Sequence, residues 1–180
     1  NILWGEPKNN SKIPLVSVVM SVYNGERFLK LALESILNQT FDNFEFIIID
    51  DGSTDDSTEI IKSLKDKRIR LISQTNHGFI YSLNKAVELA RGKLIARMDQ
   101  DDFAMPSRIE KQVLLFNNNP KLGAVSTFFE LIDFKDGKPL GKTMIFPTNS
   151  IDIKRALYLH NPMAHGSTTF RKKAWKEAGR

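Results

Sequence analysis

The chain has 180 residues, of which 41% are hydrophobic and 26% charged, a composition that excludes a disordered chain and predicts one globular domain of ordinary size. It contains no cysteine, which excludes disulfides, thiolate metal ligands and a cysteine nucleophile and fits a reducing compartment. The net charge of +5 suits an anionic partner such as a nucleotide, a phospholipid surface or a nucleic acid.

The two ends of the chain differ from its middle. Residues 1–14 are polar and lack the basic-then-apolar order of a signal peptide, so we expect a lead-in segment there. Residues 172–180 begin a basic amphipathic helix that stops at Arg180 with nothing predicted to pack behind it. We therefore expect a single domain over residues 15–180 that is truncated at its C-terminus.

Strands and helices alternate from residue 15 onward. The β-branched and apolar run from Leu15 to Tyr23 predicts a strand covered on both faces, which Asn24-Gly25 ends. Apolar residues at helical spacing from Phe28 to Leu37 then predict an amphipathic helix. The same two patterns recur and predict strands at 44–49, 69–73, 94–98 and 122–126, with helices at 57–64, 83–90 and 109–116.

The alternation changes after residue 126. Residues 128–134 and 143–146, joined by a turn at 135–138, predict a hairpin or an irregular strand pair. A short helix at 150–159 and a strand at 166–171 follow. The earlier alternation implies right-handed βαβ units, so the sequence predicts an α/β fold with a parallel sheet.

Polar and aromatic residues follow three of the predicted strands where each strand ends. Tyr23 ends the first, while residues 50–55 follow the second and residues 99–102 follow the fourth. Ligands of open α/β sheets bind beyond the carboxyl ends of the strands, near a switch in strand order, so these groups predict a ligand site. Tyr23 is then either ordinary strand-end packing or a stacking platform for a base.

Three acids, Asp99, Asp101 and Asp102, stand within four positions. Two carboxylates 5 Å apart repel by roughly 3 kcal/mol at an effective dielectric of about 20, a cost that a bound divalent metal removes. Turns and helix N-caps are the competing explanation for aspartate here. Oxygen ligands at Asp99 and Asp101 point to Mg²⁺ or Mn²⁺, and we expect Asp102 to support the loop and the helix that starts near Pro106.

The acids after the second predicted strand form two groups. Asp55 or Asp56 can cap the next helix, with Glu59 placed three residues after Asp56 as in a capping box. The pair Asp50 and Asp51 is left without a local role. A carboxylate at that strand end could accept a hydrogen bond from a base or a ribose.

Four segments together resemble a family-two glycosyltransferase of the GT-A fold, in the family's order from about residue 15 to about residue 171. They are VSVVMSVYNG at 16–25, LESILNQTF at 33–41, EFIIIDDGSTDD at 45–56 and IARMDQDD at 95–102. The resemblance implies a Rossmann-like three-layer sandwich with a mostly parallel central sheet. It also implies metal-dependent transfer of a sugar from a nucleotide-diphosphate sugar to a hydroxyl acceptor, which bacterial members commonly use to build capsule, O-antigen and other surface polysaccharides.

The resemblance implies roles for residues near the donor. Ser21 and Tyr23 match positions that hold the nucleotide base, and Asp51 matches the acid that pairs with the base. The stretch 99–101 matches the D-x-D motif, in which the first acid contacts the ribose or the metal and the second binds the Mn²⁺ or Mg²⁺ ion that bridges the donor diphosphate. Two further residues match positions often near the donor: Glu26 and Asn84.

The acceptor side and the catalytic base are expected further along the chain. His165 lies in a segment that resembles the acceptor side, where it would approach the metal or the diphosphate or be an ordinary packed or solvated histidine. The family usually supplies the base for inverting displacement after the region that matches residues 178–180, so we expect the base beyond Arg180. This chain should therefore bind donor far better than it transfers sugar.

We expect a UDP-sugar as donor and a saccharide or a lipid-linked acceptor. The basic surface predicts peripheral association with an anionic membrane, in the cytoplasm at its inner face. Lysine and arginine are scattered along helix faces rather than interleaved with aromatics, so we expect no nucleic-acid partner.

Two other classes share parts of this pattern. A sugar-phosphate nucleotidyltransferase should carry a Gly-rich basic loop after the first strand, where residues 23–27 hold one glycine. A phospho-receiver or another non-catalytic nucleotide-binding module would also place acids at strand ends, but a receiver needs an acceptor Asp on the third strand, which ends in Ser73-Gln74-Thr75.

Overall fold

The computed structural model describes residues 13–133, 135 and 138–179. Most of the predicted lead-in segment and two residues of the predicted turn, Asp136 and Gly137, lie outside them. The elements in chain order are β1 (Val16–Val22), α1 (Glu26–Leu37), β2 (Phe44–Asp50), α2 (Ser57–Ser63), β3 (Ile69–Ser73), α3 (Phe79–Leu89), β4 (Leu94–Arg97), α4 (Arg108–Asn118), β5 (Ala124–Val125), β6 (Phe129–Ile132), β7 (Pro139–Met144), α5 (Ser150–Ala156), β8 (Thr169–Arg171) and α6 (Lys172–Glu177).

Within the described residues, six strands form the central sheet in the order β3-β2-β1-β4-β8-β5. β1 pairs in parallel with both β2 and β4, and β2 pairs in parallel with β3. β8 runs antiparallel to β4 and β5, so the sheet is mixed and mostly parallel, which confirms the predicted α/β class. The strand order reverses between β1 and β4, and this is the switch point where such sheets bind ligands.

Helices cover both faces of this sheet. Side chains alternate along β1, so Val18 and Met20 pack with α1, α2 and α4 while Val19 packs with α3 on the opposite face. Every residue of β1 and β2 is buried. This burial explains why these strands are almost continuously apolar in the sequence, and it confirms the three-layer sandwich.

A buried polar cluster lies at the amino end of the sheet. Glu45 on β2 is 3% exposed and accepts hydrogen bonds from Ser17 Oγ at 2.7 Å and from the Arg91 backbone at 2.7 Å. The guanidinium groups of Arg70 and Arg91 lie 3.0 and 2.9 Å from its other oxygen. Burial alone raises the pKa of Glu45, but these hydrogen bonds outweigh it and hold the pKa below its usual value.

The region after β5 differs partly from the prediction. β6 and β7 form a separate antiparallel two-stranded sheet, which confirms the predicted hairpin. The predicted fifth strand shrinks to the two residues of β5, and the predicted strand at 166–171 begins with a 3₁₀ turn, His165–Ser167. α5 ends at Ala156 rather than 159 and buries no residue. Among the helices of the described residues, none combines the length and apolar character needed to cross a bilayer.

Candidate functional site

A cavity of about 350 Å³ opens at the carboxyl ends of β1, β2 and β4, beside the switch point. The structure brings together there five of the residues singled out in the sequence. Its described lining consists of Ser21, Tyr23, Asp51, Asn76, Gly78, Phe79, Asp99, Gln100 and Asp101. The parallel-sheet rule therefore predicted the place of the cavity correctly.

Gln100 fixes the backbone just after β1. Its side chain accepts a hydrogen bond from the Tyr23 backbone N–H at 2.9 Å and donates one to the Tyr23 carbonyl at 3.2 Å. A Cβ on Gly25 would lie 2.7 Å from the same side chain, so the glycine lets the two segments approach. This role of Gln100 was not predictable from the sequence, because nothing in a D-x-D motif indicates that its middle residue bonds to a backbone 77 positions earlier.

Asp51 anchors the loop between β3 and α3. Its carboxylate is 2% exposed and accepts hydrogen bonds from Gln74 Nε2 at 2.7 Å, the His77 backbone at 3.0 Å and the Gly78 backbone at 2.8 Å. Burial alone raises the pKa of Asp51, and these bonds outweigh it and lower the pKa. Most of the acceptor capacity of this carboxylate is thus used within the protein, which leaves little for a ligand.

The neighbouring acids stabilise the turn before α2. Asp50 accepts from the Ser53 backbone at 3.1 Å and from Thr58 Oγ1 at 2.5 Å, so it is bonded within the protein and does not face the cavity. The predicted capping box is wrong. Asp56 occupies the N-cap position without a side-chain cap bond, and Asp55 instead accepts from the Ser57 backbone at 3.0 Å.

Glu26 and Asn84 do not line the cavity. The Glu26 carboxylate accepts a hydrogen bond from the Asp56 backbone N–H, just before α2, at 3.1 Å. The Glu26 backbone N–H, at the start of α1, donates to the Asp55 carboxylate at 3.0 Å. This reciprocal contact joins α1 to α2. Asn84 lies half-buried in the middle of α3.

The acids after β4 occupy different surroundings. Asp99 forms a two-point ion pair with Arg97, whose Nε and Nη2 lie 2.9 and 3.1 Å from its two oxygens. The same guanidinium lies 5.0 Å from the centre of the Phe79 ring. Asp101 is exposed and lines the cavity. Arg97 was not among the predicted site residues, although its spacing from Asp99 could have indicated it, because residues two apart at the end of a strand share a face.

Asp102 faces the segment that precedes β8. A Cβ on Gly166 would collide with Asp102 Oδ2 and lie 3.1 Å from Asp99 Oδ2, so a glycine is needed where the chain passes these acids. Asp102 is exposed as a whole residue, but partial burial of its carboxyl group and repulsion from Asp99 and Asp101 raise its pKa to about 6. Asp102 thus lies against Gly166, a contact that agrees with the expectation that Asp102 supports the loop after β4.

α4 holds the segment around Gly166 in place. Arg108, 7% exposed, donates from Nη1 to the Arg97 carbonyl at 3.2 Å and to the Gly166 carbonyl at 3.0 Å. One turn later Gln112 donates to the Ser167 carbonyl at 2.8 Å. His165 precedes this anchored pair, is exposed and hydrogen-bonds with Asn161. His165 thus lies next to the acidic turn, residues 99–102, although it does not line the cavity.

A metal ion would have few protein ligands here. Among the described residues, no three His, Asp or Glu side chains are arranged to hold one. Mg²⁺ and similar ions are commonly bound by only one or two carboxylates together with substrate phosphates. Asp101, on the cavity wall, and Asp99, beside Gly166, supply hard oxygen ligands of this kind, so the residues present fit such an ion.

Comparison with known proteins identifies relatives over almost the whole chain. Residues 17–179 match the family described as Glycosyl transferase family 2. An uncharacterised glycosyltransferase of Haemophilus influenzae is 38% identical over 91% of this chain and 54% of its own length. The O-antigen biosynthesis glycosyltransferase WbnJ of Escherichia coli is 34% identical over 89% of this chain and 63% of its own length. The chain thus spans little more than half the length of these curated relatives.

Solved structures show the same fold. TarS of S. aureus superposes with a TM-score of 0.68 at 21% identity, covering 91% of this chain and 49% of TarS. A mannosyltransferase of Pyrobaculum calidifontis, solved with GDP-Man and Mn²⁺, superposes with a TM-score of 0.67 at 18% identity, covering 94% of this chain and 48% of that one. TarS has also been solved with UDP-GlcNAc. At these identities the likeness confirms the GT-A fold.

Proposed function

Because the chain belongs to glycosyl transferase family 2, and is related to bacterial polysaccharide and O-antigen glycosyltransferases, we propose that it binds a nucleotide-diphosphate sugar for transfer to a hydroxyl acceptor. The observation that carries the proposal is the cavity at the switch point, which gathers Tyr23, Asp51 and the Asp99–Asp101 stretch from three strand ends. A nucleotide offers a flat base and a charged diphosphate. We assign the end of the cavity at Tyr23 and Asp51 to the base and the end at Asp99–Asp101 to the diphosphate.

The base end of the cavity is formed by β1 and the loop that Asp51 anchors. Tyr23 is 48% exposed while its backbone is fixed by Gln100, so its ring offers a surface for stacking. Ser21, 6% exposed, contributes a hydroxyl group on the cavity wall. In this proposal Asp51 contributes mainly by holding the Gly78 backbone at the cavity wall, and only its remaining acceptor capacity faces the base.

The diphosphate end is formed by the acidic turn. Asp101, with Asp99, would hold an Mn²⁺ or Mg²⁺ ion. Glu26 and Asn84 would contribute to donor binding from positions outside the cavity lining. When bound, the ion neutralises the charge of the leaving nucleoside diphosphate. Because the acids alone would repel that diphosphate, nucleotide affinity should depend on the cation.

The acceptor side of the proposal rests on the segment around His165. α4 anchors its backbone against the acidic turn, so an acceptor lying there would be next to the donor. We propose inverting transfer to a saccharide or a lipid-linked acceptor during surface polysaccharide synthesis, with peripheral membrane association at the cytoplasmic side.

Calorimetric titration with UDP and GDP, each with and without Mn²⁺, tests the proposal. We expect at least one nucleotide to bind, with an affinity that falls at least tenfold when Mn²⁺ is removed or Asp101 is changed to Ala. The matched control is Asp42→Ala, which removes an exposed acid just before β2, at the amino ends of the strands and away from the cavity. Binding that is indifferent to both Mn²⁺ and the Asp101→Ala change would contradict the metal assignment, and failure of both nucleotides to bind would contradict the donor site.

A further inference from the structure

We infer that Arg97 is a positioning residue of the donor site that competes with the divalent cation for Asp99. The inference rests on the function proposed above and adds a residue that neither the D-x-D motif nor the cavity lining includes. Its basis is the ion pair between Arg97 and Asp99 and its difference from the surroundings of Asp101.

The ion pair engages both oxygens of Asp99. Two nitrogens of the Arg97 guanidinium lie 2.9 and 3.1 Å from Asp99 Oδ1 and Oδ2, a planar two-point geometry that lysine does not reproduce. The Arg97 and Asp99 side chains are only 18% and 25% exposed, so solvent screens the pair less than an ordinary surface pair. A cation that binds Asp99 must therefore displace the guanidinium or share the carboxylate with it.

Arg97 is itself held at this position. It ends β4, and its backbone N–H donates to the Thr168 carbonyl at 2.9 Å, next to the segment that carries His165. The guanidinium also lies 5.0 Å from the centre of the Phe79 ring, which is on the cavity wall. This second contact favours the guanidinium staying beside the cavity after it releases Asp99.

The two acids of the motif are consequently not equivalent. Asp101 is exposed on the cavity wall and can bind a cation at little cost, whereas Asp99 becomes a ligand only by giving up or weakening its ion pair with Arg97. Arg97 thus lowers the affinity of the site for a cation that arrives alone. A cation that arrives with a diphosphate brings negative charge that the released guanidinium can face.

The chain contains a matched control pair. Arg68 binds Asp66 with the same two-residue spacing and the same two-point geometry, with side-chain exposures of 23% and 26%, and its guanidinium lies 4.6 Å from the centre of the Phe44 ring. This pair lies just before β3, at the amino ends of the parallel strands, whereas the cavity lies at their carboxyl ends. Arg68→Met therefore removes one positive charge and frees one carboxylate, as Arg97→Met does. The carboxylate that it frees, Asp66, does not line the cavity that holds Asp101.

The test is titration of the protein with Mn²⁺ alone, followed by calorimetry and by the electron paramagnetic resonance signal of free Mn²⁺. We expect Arg97→Met to bind Mn²⁺ about tenfold more tightly than wild type, the size of effect expected when one competing ion pair of this kind is removed. Arg68→Met should leave the affinity unchanged. Arg97→Gln is a second neutral variant, and circular dichroism of both Arg97 variants checks that they fold like wild type.

The outcomes separate the inference from the function on which it rests. Mn²⁺ binding to wild type that Arg97→Met and Arg97→Gln leave unchanged or weaken would overturn the inference alone, as would an equal gain in Arg68→Met. Absence of Mn²⁺ binding from wild type and from both Arg97 variants would also overturn the inference alone, because the proposed function is decided by the nucleotide titrations with and without Mn²⁺.

Discussion

Replacing Asp51 with asparagine should destabilise the protein before any nucleotide is added. The carboxylate accepts three hydrogen bonds, from Gln74, His77 and Gly78, and it is 2% exposed. An asparagine side chain keeps one acceptor oxygen, while its NH₂ group must face at least one N–H donor. The perturbation therefore removes one or two bonds and places a donor against a donor.

The expected cost follows from those bonds. A hydrogen bond to a charged group contributes about 1.5–3 kcal/mol, so the loss should be about 2–4 kcal/mol in the free energy of unfolding. For a domain of this size about 1 kcal/mol corresponds to roughly 2–4 °C in Tm, so Asp51→Asn should melt roughly 5–15 °C lower at pH 7. Thermal and guanidinium unfolding followed by circular dichroism measure both quantities. Asp42→Asn, at an exposed position, is the control and should change Tm by less than 2 °C.

The pH dependence provides a second measurement on Asp51. Burial raises its pKa, but its hydrogen bonds hold the folded-state pKa below the usual 3.8. A lowered folded-state pKa contributes stability that is complete above the unfolded-state value and is lost as the pH falls through the folded-state value. The difference between wild type and Asp51→Asn should therefore be constant above about pH 5 and shrink below about pH 4. A variant as stable as wild type at pH 7, or a difference that stays constant in acid, would refute the reasoning.

Three further substitutions test other contacts. Gly92→Ala should lower the free energy of unfolding by about 2–3 kcal/mol in guanidinium titrations, because its Cβ would lie 2.5 Å from the backbone nitrogen of Ser17, which cannot move cheaply. Glu45→Gln should cost about 2–3 kcal/mol at pH 7, and that difference should shrink as the pH falls below the usual glutamate value of 4.5, since the folded-state pKa is lowered; unfolding curves at pH 7 and pH 3.5 measure it. Gln100→Ala should weaken nucleotide binding about tenfold in calorimetry and lower Tm by only a few degrees, because it frees the Tyr23 backbone at an exposed loop.

Much of the fold was predictable because its signals are local. Two-sided burial makes β1 and β2 continuously apolar, and one-sided burial gives α1 its helical period, so each element is visible in a short window of sequence. Predictions failed where no such period exists. β5 is two residues long and β8 three, so tertiary pairing rather than local pattern sets their bounds. α5 buries no residue, so it has no apolar period that would mark its end.

The candidate site was predictable in its place more than in its contacts. The cavity was expected at the strand ends because parallel strands bring their carboxyl ends to one edge, and Asp51 and Asp101 do line it. The capping box failed because Asp55, rather than Asp56, reaches the free N–H of α2, a choice that depends on how the turn is held by α1. A local motif cannot contain that information.

The sequence by itself determined that buried strands alternate with amphipathic helices, which predicts an α/β fold with a parallel sheet, and that acids follow two of the strand ends. Those properties follow from the spacing of apolar residues, which depends only on the repeat of a strand or a helix. The tertiary structure alone decided that Gln100 fixes the backbone of Tyr23 and that Arg108 fixes the backbone of Gly166. These contacts join segments far apart in the chain, and their energies depend on distances of about 3 Å that no local pattern specifies.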